Sequence, residues 1–252
     1  MSGVRRWSDY STDEIGAEIA ALPVAILPLG AVEEHGPHLP IGTDNIAAAA
    51  LAERLAARTG CLLLPTLNYG QVWSLARFPG SLTLREETLR NVLTDLAEAL
   101  FAQGVRGLML LSGHLGNLSA MRASARVLHD RLPALAVQAV AYPGLAEVAA
   151  GIAESPQWHP GYIHAEEIET SLVLALAPGR VRMERARREY PPLPPDFSVS
   201  AVQWDELGEG LSGVFGDATA ASQAKGKAIL ARYEERLVGL AEALKARVRS
   251  GR

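Results

Sequence analysis

Short apolar runs closed by Gly or Pro alternate along this chain with longer stretches whose apolar residues recur every three or four positions. That alternation is the sign of a mostly parallel sheet flanked by helices. The runs Val24 to Leu29, Cys61 to Leu67, Gly107 to Leu111 and Leu135 to Ala141 read as strands. Helices are expected over about Asn45 to Arg58, Arg85 to Gln103 and Asn117 to Arg131, the second with Leu89, Val92, Leu93, Leu96 and Leu100 on one face. Thr170 to Ala177 and Ala220 to Arg249 also read as helix. The segment Tyr190-Pro-Pro-Leu-Pro-Pro195 breaks regular structure, so Glu189 to Gly216 reads as a long loop that either covers a site or serves an oligomer contact.

Composition narrows the class. With 252 residues, 48% of them apolar, the chain is long enough for one large α/β domain, and a single domain over 1–252 is expected. The net charge is −4 and the basic cluster Arg180 to Arg188 is interleaved with Glu184, so no nucleic-acid footprint is expected. The N-terminus lacks the apolar stretch of a signal peptide, and no run reaches the ~20 apolar residues of a membrane span. A cytoplasmic protein with no membrane partner is the expectation. The one cysteine, Cys61, sits in the apolar run Cys61-Leu-Leu-Leu-Pro65 and reads as a buried structural thiol.

The densest chemistry follows the first strand, in Leu29-Gly-Ala-Val-Glu33-Glu34-His35-Gly-Pro-His38-Leu-Pro-Ile-Gly-Thr-Asp44. Divalent cations want carboxylate oxygen and neutral imidazole nitrogen converging from several directions. In an extended segment residues i and i+2 point the same way, so Glu33 and His35 face one cation while Glu34 faces elsewhere as an ordinary polar loop residue. Gly and Pro turns bring Asp44 back towards the pair. His38 reads either as part of the site or as a loop-holding imidazole bonded to backbone.

Strand order supplies the fourth candidate. The turn Ser112-Gly113-His114-Leu-Gly116-Asn117 leaves the same sheet edge as the first loop, the edge where open α/β sheets bind ligands. His114 therefore joins Glu33, His35 and Asp44, while Asn117 either caps the next helix or serves the site. Further on, His164-Ala-Glu166-Glu167-Ile-Glu169-Thr-Ser171 is the other dense polar group. Glu166 suits the first turn of the following helix, and His164 and Glu167 suit proton transfer beside the ligands.

Together these motifs resemble the creatininase (creatinine amidohydrolase) family. Asn68-Tyr-Gly70, Phe78-Pro-Gly80 and Ser212-Gly-Val-Phe-Gly-Asp217 complete the match, which runs in order from residue 24 to about 225. The resemblance implies a three-layer α/β/α sandwich with a mostly parallel central sheet and hydrolysis of a C–N bond in a small-molecule amide by metal-activated water. It implies one or two divalent metals, zinc first with manganese or iron as alternatives, held by Glu33, His35, Asp44 and His114, with Asp44 able to bridge. A homo-oligomer, often a hexamer, is implied as well.

Two departures bear on the substrate. Creatininase proper has a ligating glutamate two residues after the histidine of the Gly-His motif, whereas here that residue is Gly116; Glu167 is the candidate to replace it. It also has a glutamate just before the histidine matching His164, where this chain has Ile163. Creatinine is therefore a poor first expectation. Deformylation in flavin or deazaflavin biosynthesis, mycofactocin precursor trimming and an inactive metal-binding relative are the alternatives. Tyr69, Trp73, Phe78 and Trp158 are candidates for the substrate pocket and Asn117 for steadying an oxyanion.

Overall fold

The computed structural model describes residues 3–251. Four strands form its main sheet: β1 (Val24–Leu29), β2 (Leu62–Leu63), β3 (Gly107–Ser112) and β4 (Ala136–Ala141). They lie in the order β2-β1-β3-β4 and every pairing is parallel, with Val24 opposite Gly107 and Gly107 opposite Ala136. Central strands β1 and β3 are buried at every residue, as covering on both faces requires.

The pleat divides their side chains between two layers. Ile26, Met109 and Leu111 pack against helices α2 (Thr43–Thr59), α6 (Glu167–Leu176) and α7 (Gln223–Ser250) through Leu51, Leu55, Leu172, Ile229, Tyr233 and Leu237. Ala25, Leu27, Leu29, Leu108 and Leu110 face the opposite way. They meet α1 (Thr12–Ala21), α3 (Glu86–Ala102) and α4 (Leu118–Arg131) through Ile19, Leu89, Leu93, Met121 and Leu128. A short α5 (Leu145–Ala150) follows β4. The expected α/β sandwich is present.

The strand expected over Cys61 to Leu67 is ladder-paired only at Leu62–Leu63, because Pro65 has no N–H to donate. Pairing resumes beyond it, where Leu67 N–H donates to the Pro28 carbonyl at 2.9 Å. Cys61 is a buried free thiol. Among the described residues no helix is long and apolar enough to cross a membrane.

The long loop expected over Glu189 to Gly216 is pinched at its base. Arg188–Glu189 (β5) pairs antiparallel with Gly216–Asp217 (β6), and the Glu189 carboxylate accepts from Ser212 N–H. Between these ends, Phe197 and Trp204 pack with Trp158 and Phe215 in a separate aromatic cluster. The loop thus forms a tethered cap above the C-terminal edge of the sheet.

Candidate metal centre

Each acid or imidazole at this edge is delivered by a rigid element. Glu33 and His35 sit in the loop after β1, where Glu33 N–H donates to the Ile41 carbonyl at 3.0 Å. Asp44 is the second residue of α2, in the first turn, where the helix dipole favours a carboxylate. His114 follows β3, and the glycine before it lets that turn lean on α2: a Cβ at Gly113 would lie 2.4 Å from the Asp44 carbonyl oxygen.

The side chains then converge. His114 Nδ1 lies 3.1 Å from Glu33 Oε2 and 3.3 Å from Asp44 Oδ2. His35 Nε2 lies 3.4 Å from both Asp44 Oδ1 and Glu169 Oε2. Two groups of metal-binding composition result, Glu33/Asp44/His114 and His35/Asp44/Glu169, and Asp44 belongs to both through different oxygens. A third group joins Glu33, His35 and His164.

A cation fits this arrangement on two grounds. Glu33 Oε1, His35 Nε2 and Asp44 Oδ2 are buried and make no hydrogen bond, which is costly for polar atoms unless something else satisfies them. The far ring nitrogens, by contrast, are engaged: His35 Nδ1 is 3.1 Å from the Glu33 carbonyl and His114 Nε2 is 2.7 Å from the Gln71 carbonyl. Such backbone acceptors fix the tautomer that turns the other nitrogen to a metal.

Electrostatics without a cation shows what it would displace. Burial pushes Glu33 up, but the charges of His114, His164 and His35 outweigh it and hold the carboxyl down to about 2. Burial opposes protonation of His114, yet Glu33 and Asp44 carry it up to about 10. A ligating imidazole must be neutral, so metal uptake at neutral pH releases protons. Affinity should therefore rise by about tenfold per pH unit for each proton displaced, levelling off for His114 above about pH 10, where its imidazole becomes neutral. Calorimetric titration in buffers of different ionisation enthalpy measures this release; an enthalpy independent of buffer would contradict it.

Not every residue expected at the site is there. Glu167 is turned away: its carboxylate accepts from Glu154 N–H at 3.0 Å, Ser155 N–H at 2.8 Å and the Ser155 hydroxyl, and it pairs with Lys225. The carboxylate beside His35 and Asp44 is Glu169, two residues on, on the opposite side of the same helix. Helix α6 begins at Glu167 rather than Thr170, and a helix separates i and i+2 by about 200°, so Glu167 and Glu169 point to different sides. Glu166 caps that helix, accepting from the N–H groups of Ile168 and Glu169. Glu167→Ala should keep bound metal while losing about 1 kcal/mol of stability, because the Glu154 and Ser155 N–H groups lose their acceptor while Lys225 keeps Glu154 and the Ala220 carbonyl. Elemental analysis and equilibrium unfolding on one preparation check both halves.

Asn117 is likewise committed elsewhere. Its amide donates to the Gly30 carbonyl and to Ser112 Oγ, and its oxygen accepts from Gln71 N–H, so it ties three segments together and has nothing left for an oxyanion. Gly116 has no room for a side chain, since a Cβ would lie 2.4 Å from His114 Nε2 and 2.6 Å from the Gln71 carbonyl oxygen. His38 bonds Thr170 Oγ1 at 2.8 Å and so clasps the loop to α6 through a side chain, not backbone.

Above the acids lies a cavity of about 300 Å³ walled by Trp73, Leu115, Tyr142, Tyr162, Phe197 and Trp204. Of the expected pocket aromatics Trp73 lines it. Trp158 instead backs the wall, its Nε1–H donating to the Pro191 carbonyl, while Phe78 packs in the aromatic cluster and Tyr69 is half exposed outside the lining. His164 lines the cavity, its Nδ1 3.7 Å from Glu33 Oε2 and its Nε2 2.9 Å from Glu34 Oε1. Glu34 is therefore buried and partnered, not a solvated loop residue.

Known proteins are similar to this chain in sequence and fold. The family model "Creatininase: Creatinine amidohydrolase" matches residues 8–241. The chain is 30% identical to the creatinine amidohydrolase of Pseudomonas putida, over 96% of this chain and 95% of that one. It is also 30% identical to a mycofactocin precursor peptide peptidase of Mycobacterium tuberculosis, over 83% and 80%. A crystal structure of creatinine amidohydrolase superposes with a TM-score of 0.86 at 27% identity, covering 96% of this chain and 99% of the other. A creatininase mutant of Zn-Zn type matches at 0.85 and 26%, covering 97% and 99%. With the fold, the ordered motifs and the family model in agreement, the chain belongs to the creatininase family.

Proposed function

We propose that this protein is a metal-dependent amidohydrolase that cleaves the C–N bond of a small amide, with Glu33, His35, Asp44, His114 and Glu169 as its ligands. The observation that carries the reading is the set of buried atoms without hydrogen bonds on Glu33, His35 and Asp44, directly beneath an aromatic cavity. A divalent metal bound there supplies Lewis acidity towards a carbonyl oxygen and makes water nucleophilic near neutral pH. Zinc or manganese suits these oxygen and nitrogen donors, and iron would as well.

The remaining work falls to the chain's own groups. His164 faces the cavity and takes a proton, then returns it to the leaving nitrogen, which must be protonated before the C–N bond breaks. The aromatic walls hold a flat amide and exclude water. None of the lining residues is Lys or Arg, which supports an uncharged substrate over one carrying a carboxylate. A cytoplasmic homo-oligomer of single-domain chains completes the proposal; half-exposed Ile41, Tyr69 and Leu82 support a subunit contact.

The test is turnover of creatinine, of a formamide and of a peptide ending in Val-Tyr by metal-loaded protein. One of the three should be hydrolysed and His35→Ala should abolish it. Activity that survives chelation and His35→Ala would remove the metal mechanism.

A further inference from the structure

Glu34 lies on the side of the loop opposite Glu33 and His35, outside both groups that share Asp44, yet its carboxylate is buried and immobilised. Oε2 accepts from Gly36 N–H at 2.9 Å, and the residue's own N–H donates to Ser81 Oγ at 3.0 Å. Gly213, at φ +86°, lays its backbone against the same carboxylate, so close that a Cβ there would fall 1.7 Å from Oε2. The remaining oxygen, Oε1, is 2.9 Å from His164 Nε2. The other side of His164 is held too, because its carbonyl accepts from Phe215 N–H at 3.2 Å.

Glu34 already accepts from Gly36 N–H through one oxygen, and with its other oxygen also accepting, the ring nitrogen 2.9 Å away carries the proton. In a neutral imidazole the other nitrogen is then an acceptor. Glu33 Oε2, at 3.7 Å, is too far to claim a proton on Nδ1. We propose that Glu34 is a positioning residue that locks His164 as its Nε2–H tautomer, and so presents Nδ1 as the proton acceptor of the reaction. The inference rests on the hydrolase reading for the word reaction, but not for the tautomer. Glu34 acts through His164 and touches no reacting atom. The 212–217 end of the cap, which seats Gly213 on the carboxylate and Phe215 on the His164 carbonyl, keeps the two in register.

The experiment uses zinc-loaded protein labelled with ¹⁵N-histidine, read by long-range nitrogen–proton correlation at alkaline pH, with His164 assigned by subtracting the spectrum of His164→Gln. Wild type should show a protonated Nε2 and a bare Nδ1. Glu34→Leu should lose that preference. Glu34→Gln, whose amide oxygen still accepts from Nε2–H, should retain it, and Gly213→Ala, which displaces the carboxylate without altering its chemistry, should weaken it. On whichever amide is hydrolysed, Glu34→Leu should lower kcat by about 10- to 100-fold with KM and zinc content unchanged, and Glu34→Gln should recover most of the loss. A protonated Nδ1, a doubly protonated ring or a zinc-bound Nδ1 in wild type would overturn the proposal, as would a tautomer unchanged in Glu34→Leu. The spectra decide this whether or not any amide is turned over, so failure of the tautomer and failure of the hydrolase reading are seen separately.

Discussion

Asp44→Ala should purify without bound metal. Asp44 belongs to both candidate groups, with Oδ1 3.4 Å from His35 Nε2 and Oδ2 3.3 Å from His114 Nδ1, so its loss opens both at once. Glu169→Ala should behave differently, because the Glu33/Asp44/His114 group survives it intact. Elemental analysis per chain should therefore fall to zero for the first variant and by no more than one metal for the second. Turnover in Asp44→Ala should drop by about 10²- to 10⁴-fold, the rate equivalent of the several kcal/mol a Lewis acid contributes. Full metal content in Asp44→Ala would mean that Asp44 is not an essential ligand of either group.

The second large effect is expected at His164. Its ring sits 4.5 Å from that of His35, and it lines the cavity. Removing a positioned proton-transfer group costs about 10²- to 10⁴-fold in rate. His164→Ala should lose that much in kcat while keeping its metal, since both groups that contain Asp44 lack His164. Loss of metal together with rate would instead make the ring a ligand, as its place in the third group with Glu33 and His35 allows. Comparing kcat with metal content on one preparation separates these roles.

Much of this site can be read from the amino-acid order because its first half obeys a short period. Glu33 and His35 share a side in an extended segment, and His114 follows a strand whose all-apolar run marks it as central, so its turn had to open at the same edge. Glu169 was hidden by a three-residue uncertainty in where α6 begins, and in a helix such an error turns a side chain to another face. Glu34 looked solvated because its partner, His164, is 130 residues away. Asn117 resembled a cap or an oxyanion donor because its actual partners include the main-chain groups of Gly30 and Gln71, which leave no trace in side-chain spacing. The first helix carried a readable signal that the hydrophobic pattern alone did not use: Ser11 and Glu14 form a capping box at its start.

The cap has a consequence for how this molecule can change. The acids and imidazoles of the floor come from the turns after β1 and β3 and from the starts of α2 and α6, all bound into the sandwich. Phe197 and Trp204, two of the cavity's aromatic walls, hang instead from one excursion fastened by a two-residue ribbon at Arg188–Glu189 and Gly216–Asp217. Residues 190–211 contain none of the candidate ligands, so a longer, shorter or more polar stretch there would reshape the wall that meets a substrate while the floor stays on the sandwich.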